Sequence, residues 1–130
     1  MNYPEDLKYT QNDEWIRVEG ESATIGITDY AQDQLSDIVY VEIVSAEGEA
    51  VAKGDTCAAV ESVKAAADVY MPASGTVETV NDELADTPEV VNSDPYGQAW
   101  MVRLSLSKPA ELEDLMDAAA YEAYCEERDH

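Results

Sequence analysis

Two turn signals bracket one short run of this chain. Lys53-Gly54-Asp55 stands before it and Ala73-Ser74-Gly75 after it, and between them residues 60–71 read VESVKAAADVYM. Glycine tolerates positive φ, and Asp or Ser side chains bond nearby backbone, so each triplet can reverse the chain. Val60 and Val63, set among small or polar residues, predict a strand entering the run. Asp68, Val69, Tyr70 and Met71 predict an extended segment leaving it. Pro72 falls where the second strand ends or lies at an edge, because proline cannot donate to a ladder. The order turn, strand, Lys64, strand, turn predicts a hairpin with Lys64 at or near its tip. No other lysine lies between Lys53 and Lys108, and Ala65, Ala66 and Ala67 leave the amine unobstructed. A lysine raised and cleared in this way suits covalent attachment, since a large enzyme must reach its nitrogen. Spacing alone also fits an ordinary hairpin whose lysine is simply solvated.

The flanking chain reads as further strands joined by turns. Residues 1–6 are expected to be frayed or loosely docked. Trp15, Ile16 and Val18 predict a strand, Gly20-Glu21-Ser22 a turn, and residues 23–27 the return strand. Thr28 or Asp29 caps a short helix through Ala31, Gln32 and Leu35; with Asp29 as the cap, Gln32 takes the reciprocal capping position. Residues 37–44 alternate, with Ile38, Tyr40 and Glu42 on one side and Val39, Val41 and Ile43 on the other, as in a half-buried strand. Residues 75–80 predict another strand. Asn81 and Thr87 are candidate caps around a turn or two of helix, Thr87 with Pro88 at the first helical position. Ser93-Asp94-Pro95-Tyr96-Gly97 is a turn cluster, and residues 99–106 predict a strand with Trp100, Val102, Leu104 and Leu106 on one face. A helical region opens at 107–109, because Leu112, Leu115, Met116, Ala119, Tyr121, Tyr124 and Cys125 recur at helical spacing. Residues 126–130 read as a solvated tail. No linker or repeat divides the chain, so residues 1–130 read as one domain.

Charge excludes several functions. Asp and Glu total 29 against 7 Lys plus Arg, a formal net charge of −22. Nothing in that balance neutralises phosphates, so nucleic-acid binding is not expected. The repulsion strains a compact state at low ionic strength and is relieved at high salt, which reads as adaptation to a salt-rich, halophilic cytoplasm, the alternative being a merely acidic mesophilic protein. No 18-residue apolar run suggests a membrane span, and the acidic start MNYPEDLKYT resembles neither a secretory signal nor a transit peptide. Cys57 and Cys125 make no metal or redox spacing, the one histidine is His130, and no calcium loop is present, so no metal site is expected. Cys57 reads as a small core residue. No nucleophile elbow, phosphate loop or internal histidine supports catalysis.

The KGD triplet followed by AAVESVKAAADVYMPASGTVETVN resembles the swinging-arm lysine region of lipoyl and biotinyl carrier domains. Its ESVKAA form is similar to the H proteins of the glycine cleavage system in particular. LKYTQNDEWIRVEG, ATIGITDYAQDQLSDIVYVE, VNSDPYGQAWMVRL and LMDAAAYEAYCEE resemble further segments of that family in the family's order, from Leu7 to Glu127. The resemblance implies a mainly β fold: the flattened barrel-sandwich hybrid of lipoyl/biotinyl carriers, with short helices and a C-terminal helical region. It implies lipoate in amide linkage to Lys64 and a non-catalytic role, the dithiolane accepting electrons and a carbon fragment by thiol–disulfide chemistry. The implied partners are glycine decarboxylase with pyridoxal phosphate, aminomethyltransferase with tetrahydrofolate, dihydrolipoamide dehydrogenase, and the lipoate ligase or lipoyltransferase that installs the arm. A cytoplasmic monomer is expected. A tethered arm meets each docked partner at high effective concentration.

The resemblance also assigns roles around the arm. Glu61 and Ser62 read either as recognition residues for the attaching enzyme or as plain polar hairpin residues. The family is thought to fold its loaded arm into a cleft on its own surface, and the matching positions are Asn12, Glu14 and Asp68, the last four residues after Lys64. Glu14 and Asp68 would hold the cationic amine while Trp15 or nearby apolar residues shield the sulfur. With 29 acidic residues, both also fit a general acidic coat. Trp15 and Trp100 fit core or wall positions. Asp13 and Tyr30 stand where many members carry histidine, which puts any role of those histidines in doubt here. Biotin sites usually read MKM, whereas Lys64 lies between Val63 and Ala65, which argues against biotin. Three alternatives stay open: a relay of lipoate to other enzymes, a lipoyl domain of a 2-oxoacid dehydrogenase, and an unmodified structural or interaction module.

Overall fold

The computed structural model describes residues 1–128. Among them, nine strands run in chain order as β1 (Lys8–Tyr9), β2 (Glu14–Glu19), β3 (Ser22–Ile27), β4 (Ile38–Ile43), β5 (Ala50–Val51), β6 (Thr56–Ser62), β7 (Ala66–Tyr70), β8 (Gly75–Val80) and β9 (Val102–Leu106). Helix α1 (Asp29–Leu35) follows β3, the single turn α2 (Val90–Ser93) precedes β9, and α3 (Ala118–Arg128) closes the described chain. Short 3-10 segments span Asp82–Ala85 and Pro109–Asp114.

Turn chemistry and alternation place most of these elements. The β2–β3 hairpin closes on Gly20-Glu21, with Gly20 at φ 66°, where an L side chain would be strained. Six strands pair in the order β1-β2-β3-β9-β8-β5 and three in the order β4-β6-β7; the pairings are antiparallel and the sheets do not close into a barrel. One core fills the space between the sheets. Ile16, Ile25, Val77 and Leu104 come from the larger sheet, and Val41, Cys57, Val60 and Val69 from the smaller. Side chains alternate across a strand, so Trp15, next to Ile16, points to the other face of the larger sheet. There it joins Leu7, Tyr9, Tyr30, Tyr96 and Tyr121 in a second cluster. Helix α3 covers that cluster with Ala118, Tyr121 and Cys125, and the Tyr121 ring stacks on Tyr9 at 4.6 Å.

The structure corrects several local expectations. Residues 1–6 are tied down: Asn2 N donates to Asp29, Tyr96 Oη donates to Asn2 O and Tyr9 Oη to Pro4 O. Thr28 rather than Asp29 caps α1, accepting from Ala31 N, while Asp29 accepts from the Gln32 amide at 2.7 Å. Neither Asn81 nor Thr87 caps a helix through its side chain. Alternation in β4 breaks at a bulge between Ile38 and Tyr40, so Ile38 and Val41 are buried while Val39 and Tyr40 both face solvent. The last strand begins at Val102, leaving Trp100 half-buried before it. The C-terminal region is two pieces, because Met116 forms a backbone bridge with Tyr9 that interrupts the helix. Ala119 is exposed. Of the tail, Arg128 folds back onto Asp13, and residues 129–130 lie outside the described residues. No described helix is long and apolar enough to cross a membrane.

Candidate functional site

The β6–β7 pair holds register to Glu61↔Ala66, which carries Val63, Lys64 and Ala65 beyond the last rung. Ser62 builds this tip. Its Oγ accepts from Lys64 N at 3.1 Å and Ala65 N at 2.9 Å and donates to Ala65 O at 3.0 Å, the carbonyl that also accepts from Ser62 N. That gives Ser62 a structural role that the sequence left open. Lys64 is exposed, and its Nζ donates to the Gln34 carbonyl at 3.3 Å, near the end of α1. No salt bridge holds Lys64 among the described residues. An exposed primary amine on an ordered tip, followed by small alanines, fits amide linkage to an acid.

The face beside the tip is both acidic and apolar. Glu61 is exposed in the row Tyr40–Glu61–Ala66, and Glu42–Ala59–Asp68 forms the next row. Because of the bulge, Val39 and Tyr40 both stand in solvent, at 54% and 45% exposure, and Val63 at the tip is 69% exposed.

Two concavities meet at Asn12, and one of them reaches the lysine. A groove of about 170 Å³ is walled by Ile27, Ala31, Leu35, Val60, Ala67 and Val69, with Asn12, Asp13, Gln34 and Asp68 along its polar side. Gln34, the acceptor for Lys64, thus places one end of the groove near the amine. Asn12 also borders a larger cleft of about 480 Å³, lined by Glu14, Lys53, Tyr70, Met71, Leu115 and Met116 among others. The structure therefore brings Asn12 and Asp68 into one depression and Asn12 and Glu14 into the adjoining one. Trp15 lines neither concavity; it is fully buried in the second cluster, on the other face of the larger sheet.

Glu14 is 1% exposed, unlike a residue of an acidic coat. Thr10 donates its hydroxyl to Oε1 at 2.5 Å, and Tyr70 N donates to Oε2 at 3.2 Å. Burial raises the carboxyl most, those two donors pull it back and Asp13 adds a further rise, so that on balance it is pushed up to about 7. Cys57 lies close enough that the Glu14 charge, after burial itself, helps push its thiol up to about 12. Neither Thr10 nor Tyr70 stood out in the sequence, since a hydroxyl and a backbone amide that serve a buried acid carry no motif. The pairing of Asp13 with Arg128 at 2.6 Å was equally silent.

Against known proteins, residues 7–128 match the family model described as "Glycine cleavage H-protein". The chain is 50% identical over 129 residues to the glycine cleavage system H protein of Anaeromyxobacter sp. strain K, covering 99% of this chain and 100% of that protein. It is 51% identical over 126 residues to the H protein of Symbiobacterium thermophilum, covering 97% and 98%. A crystal structure of a glycine cleavage system H protein from Mycobacterium marinum superposes with a TM-score of 0.83 at 33% identity, covering 92% of this chain and 96% of that one.

Proposed function

As a member of the glycine cleavage H-protein family, this chain is a carrier protein of the glycine cleavage system, and we propose that Lys64 is its attachment residue, holding lipoate in amide linkage. The observation that carries this reading is the exposed Lys64 amine, raised on a tip that Ser62 orders and beside a groove sized for a slender apolar chain. Lipoate bound there would supply a dithiolane able to take up electrons and the aminomethyl group of glycine.

The chain's own residues do the rest. Ser62 presents the amine, while Glu61, Val39, Tyr40 and Val63 offer a lipoate ligase or lipoyltransferase an acidic and apolar contact beside it. The groove walls, Ile27, Leu35, Val60 and Val69 among them, take the hydrocarbon of the arm. Asn12, Asp68 and Glu14 meet the cationic amine of the cargo, and withdrawal from water strengthens that contact. Glycine decarboxylase, aminomethyltransferase and dihydrolipoamide dehydrogenase each engage the exposed tip in turn. The chain works as one domain over residues 1–130 and as a monomer, in the cytoplasm of a salt-adapted cell; the net charge of −22 supports the last of these.

Peptide mapping of protein from its native host tests the attachment. One lipoyl mass on Lys64 is expected; an unmodified Lys64, or the mass on Lys53, overturns the assignment. Lys64→Arg keeps the charge but has no acylatable amine, so it is expected to fold normally and to abolish glycine–bicarbonate exchange. Retained exchange would place the cofactor elsewhere.

A further inference from the structure

Arg128 ties the last described turn of α3 to the turn that carries the arm cleft. Its guanidinium grips both oxygens of Asp13, with Nη2 at 2.6 Å from Oδ1 and Nη1 at 3.2 Å from Oδ2. The rings of Tyr30 and Tyr124 lie 4.4 Å and 4.3 Å from the same cation. Tyr121 Oη donates to Asp13 Oδ1 at 2.7 Å, and Thr28 N donates to the Asp13 carbonyl at 3.0 Å. Asp13 sits between Asn12 and Glu14 at φ 70°, a left-handed conformation that an L residue keeps only where its surroundings hold it.

We propose that Arg128 is a positioning residue for the arm: acting through Asp13, it fixes the turn that presents Asn12 and Glu14. The inference rests on the reading of Asn12, Asp68 and Glu14 as the cleft for the loaded arm. It adds a clamp from the far end of the sequence, touching neither arm nor cargo.

The geometry gives the clamp an electrostatic signature. Glu14 is faced by Asp13 in its own turn, Cys57 from β6, Tyr9 from β1 and Tyr70 from β7, and by Lys53 and Asp114 across the cleft. Asp13 is the neighbouring acid that raises the proton affinity of Glu14, and Arg128 is the cation that balances Asp13. Loss of the Arg128 charge leaves Asp13 uncompensated and moves the Glu14 titration up; loss of the Asp13 charge moves it down.

The Glu14 carboxyl carbon can be titrated by NMR in arm-free protein. Arg128→Gln is expected to raise the midpoint by up to about one pH unit, Asp13→Asn to lower it, and Arg128→Lys, which keeps the charge, to stay near wild type. A helix that merely packs would leave the midpoints alone or move Arg128→Gln and Asp13→Asn the same way, and either result overturns the proposal. In protein loaded with the aminomethyl group, Arg128→Gln is expected to release formaldehyde and ammonia several-fold faster near neutral pH, with Arg128→Lys restoring most of the protection. Release at the wild-type rate in Arg128→Gln overturns the positioning role. Release at the wild-type rate in Glu14→Gln overturns instead the reading of the cleft on which it rests.

Discussion

At Glu14 the folded chain holds a proton more tightly than the unfolded chain, because burial strips water from the carboxylate and Thr10 and Tyr70 replace only part of that solvation. The carboxyl titrates near 7 when folded, against an ordinary 4.5. Between those values the folded state binds more protons, so this group makes stability fall as pH rises, and the full loss, on the order of 3 kcal/mol, is reached above the folded value. Glu14→Gln removes the charge and keeps an acceptor for Tyr70 N. Its unfolding free energy relative to wild type is therefore expected to climb from pH 4.5 to 7 and then level off, measured by urea unfolding at fixed salt. A pH-independent difference would mean that Glu14 titrates normally. If Glu14 meets the cargo as proposed, the same titration bears on function, since only the ionised carboxyl attracts a cationic amine. Gly26 offers a second test at this scale. It lies across from Trp15, and a Cβ there would come within 2.9 Å of the indole. Trp15 is fully buried, with Nε1 donating to Pro95 O at 3.0 Å, and has nowhere to retreat. Gly26→Ala is expected to cost about 1–3 kcal/mol, seen as a lower denaturation midpoint. Of this, the sequence showed residue by residue only that Trp15 fits the core. Among 29 carboxylates nothing local separates Glu14 from its neighbours, and Asp13 and Arg128 stand 115 residues apart. Only the family resemblance pointed to the turn at Asn12-Asp13-Glu14.

Elements were easier to read than residues where local chemistry alone decides them. The lysine hairpin was legible because turn residues, valines and alanines all agree on it; the irregularity in its register between Thr56 and Ala58 was not. The β4 bulge was not, because strict alternation is the default and a bulge is set by what the neighbouring strand permits. The C-terminal periodicity ran Leu112 to Cys125 into one helix, whereas the Met116 bridge to Tyr9, a long-range pairing, splits it. At the tip, Ser62 and Glu61 make different predictions. Ser62 supplies three side-chain hydrogen bonds to the turn, while Glu61 is exposed and its backbone already sits in the ladder. Ser62→Ala is expected to speed amide exchange at Lys64 and Ala65 and slow lipoylation, with about 1 kcal/mol or less of global stability lost, since the turn is exposed. Glu61→Gln is expected to leave exchange untouched and slow lipoylation through recognition alone. If both variants are lipoylated at the wild-type rate, the attaching enzyme reads neither tip order nor the carboxylate.

Across the whole molecule, charge is the dominant unbalanced term. The net charge is −22, and in the described residues the ion pairs use Arg17, Arg103 and Arg128, so most carboxylates face one another through solvent. Such repulsion acts over roughly 10 Å in 0.1 M salt and over only about 3 Å in 1 M salt. Unfolding spreads the charges apart, so dilute buffer favours the unfolded chain and salt removes that advantage. The thermal midpoint is therefore expected to rise steadily from dilute buffer to molar KCl. Excluded solutes also strengthen apolar burial, and this contribution has to be separated from screening. Sucrose matched to the same osmolality carries no ions and is expected to raise the midpoint far less than KCl. Equal gains in both would assign the effect to solute exclusion, and a flat KCl curve would remove the salt-adapted reading. Neither result touches the carrier function, because the Lys64 tip is held by Ser62 through neutral hydrogen bonds that salt does not screen.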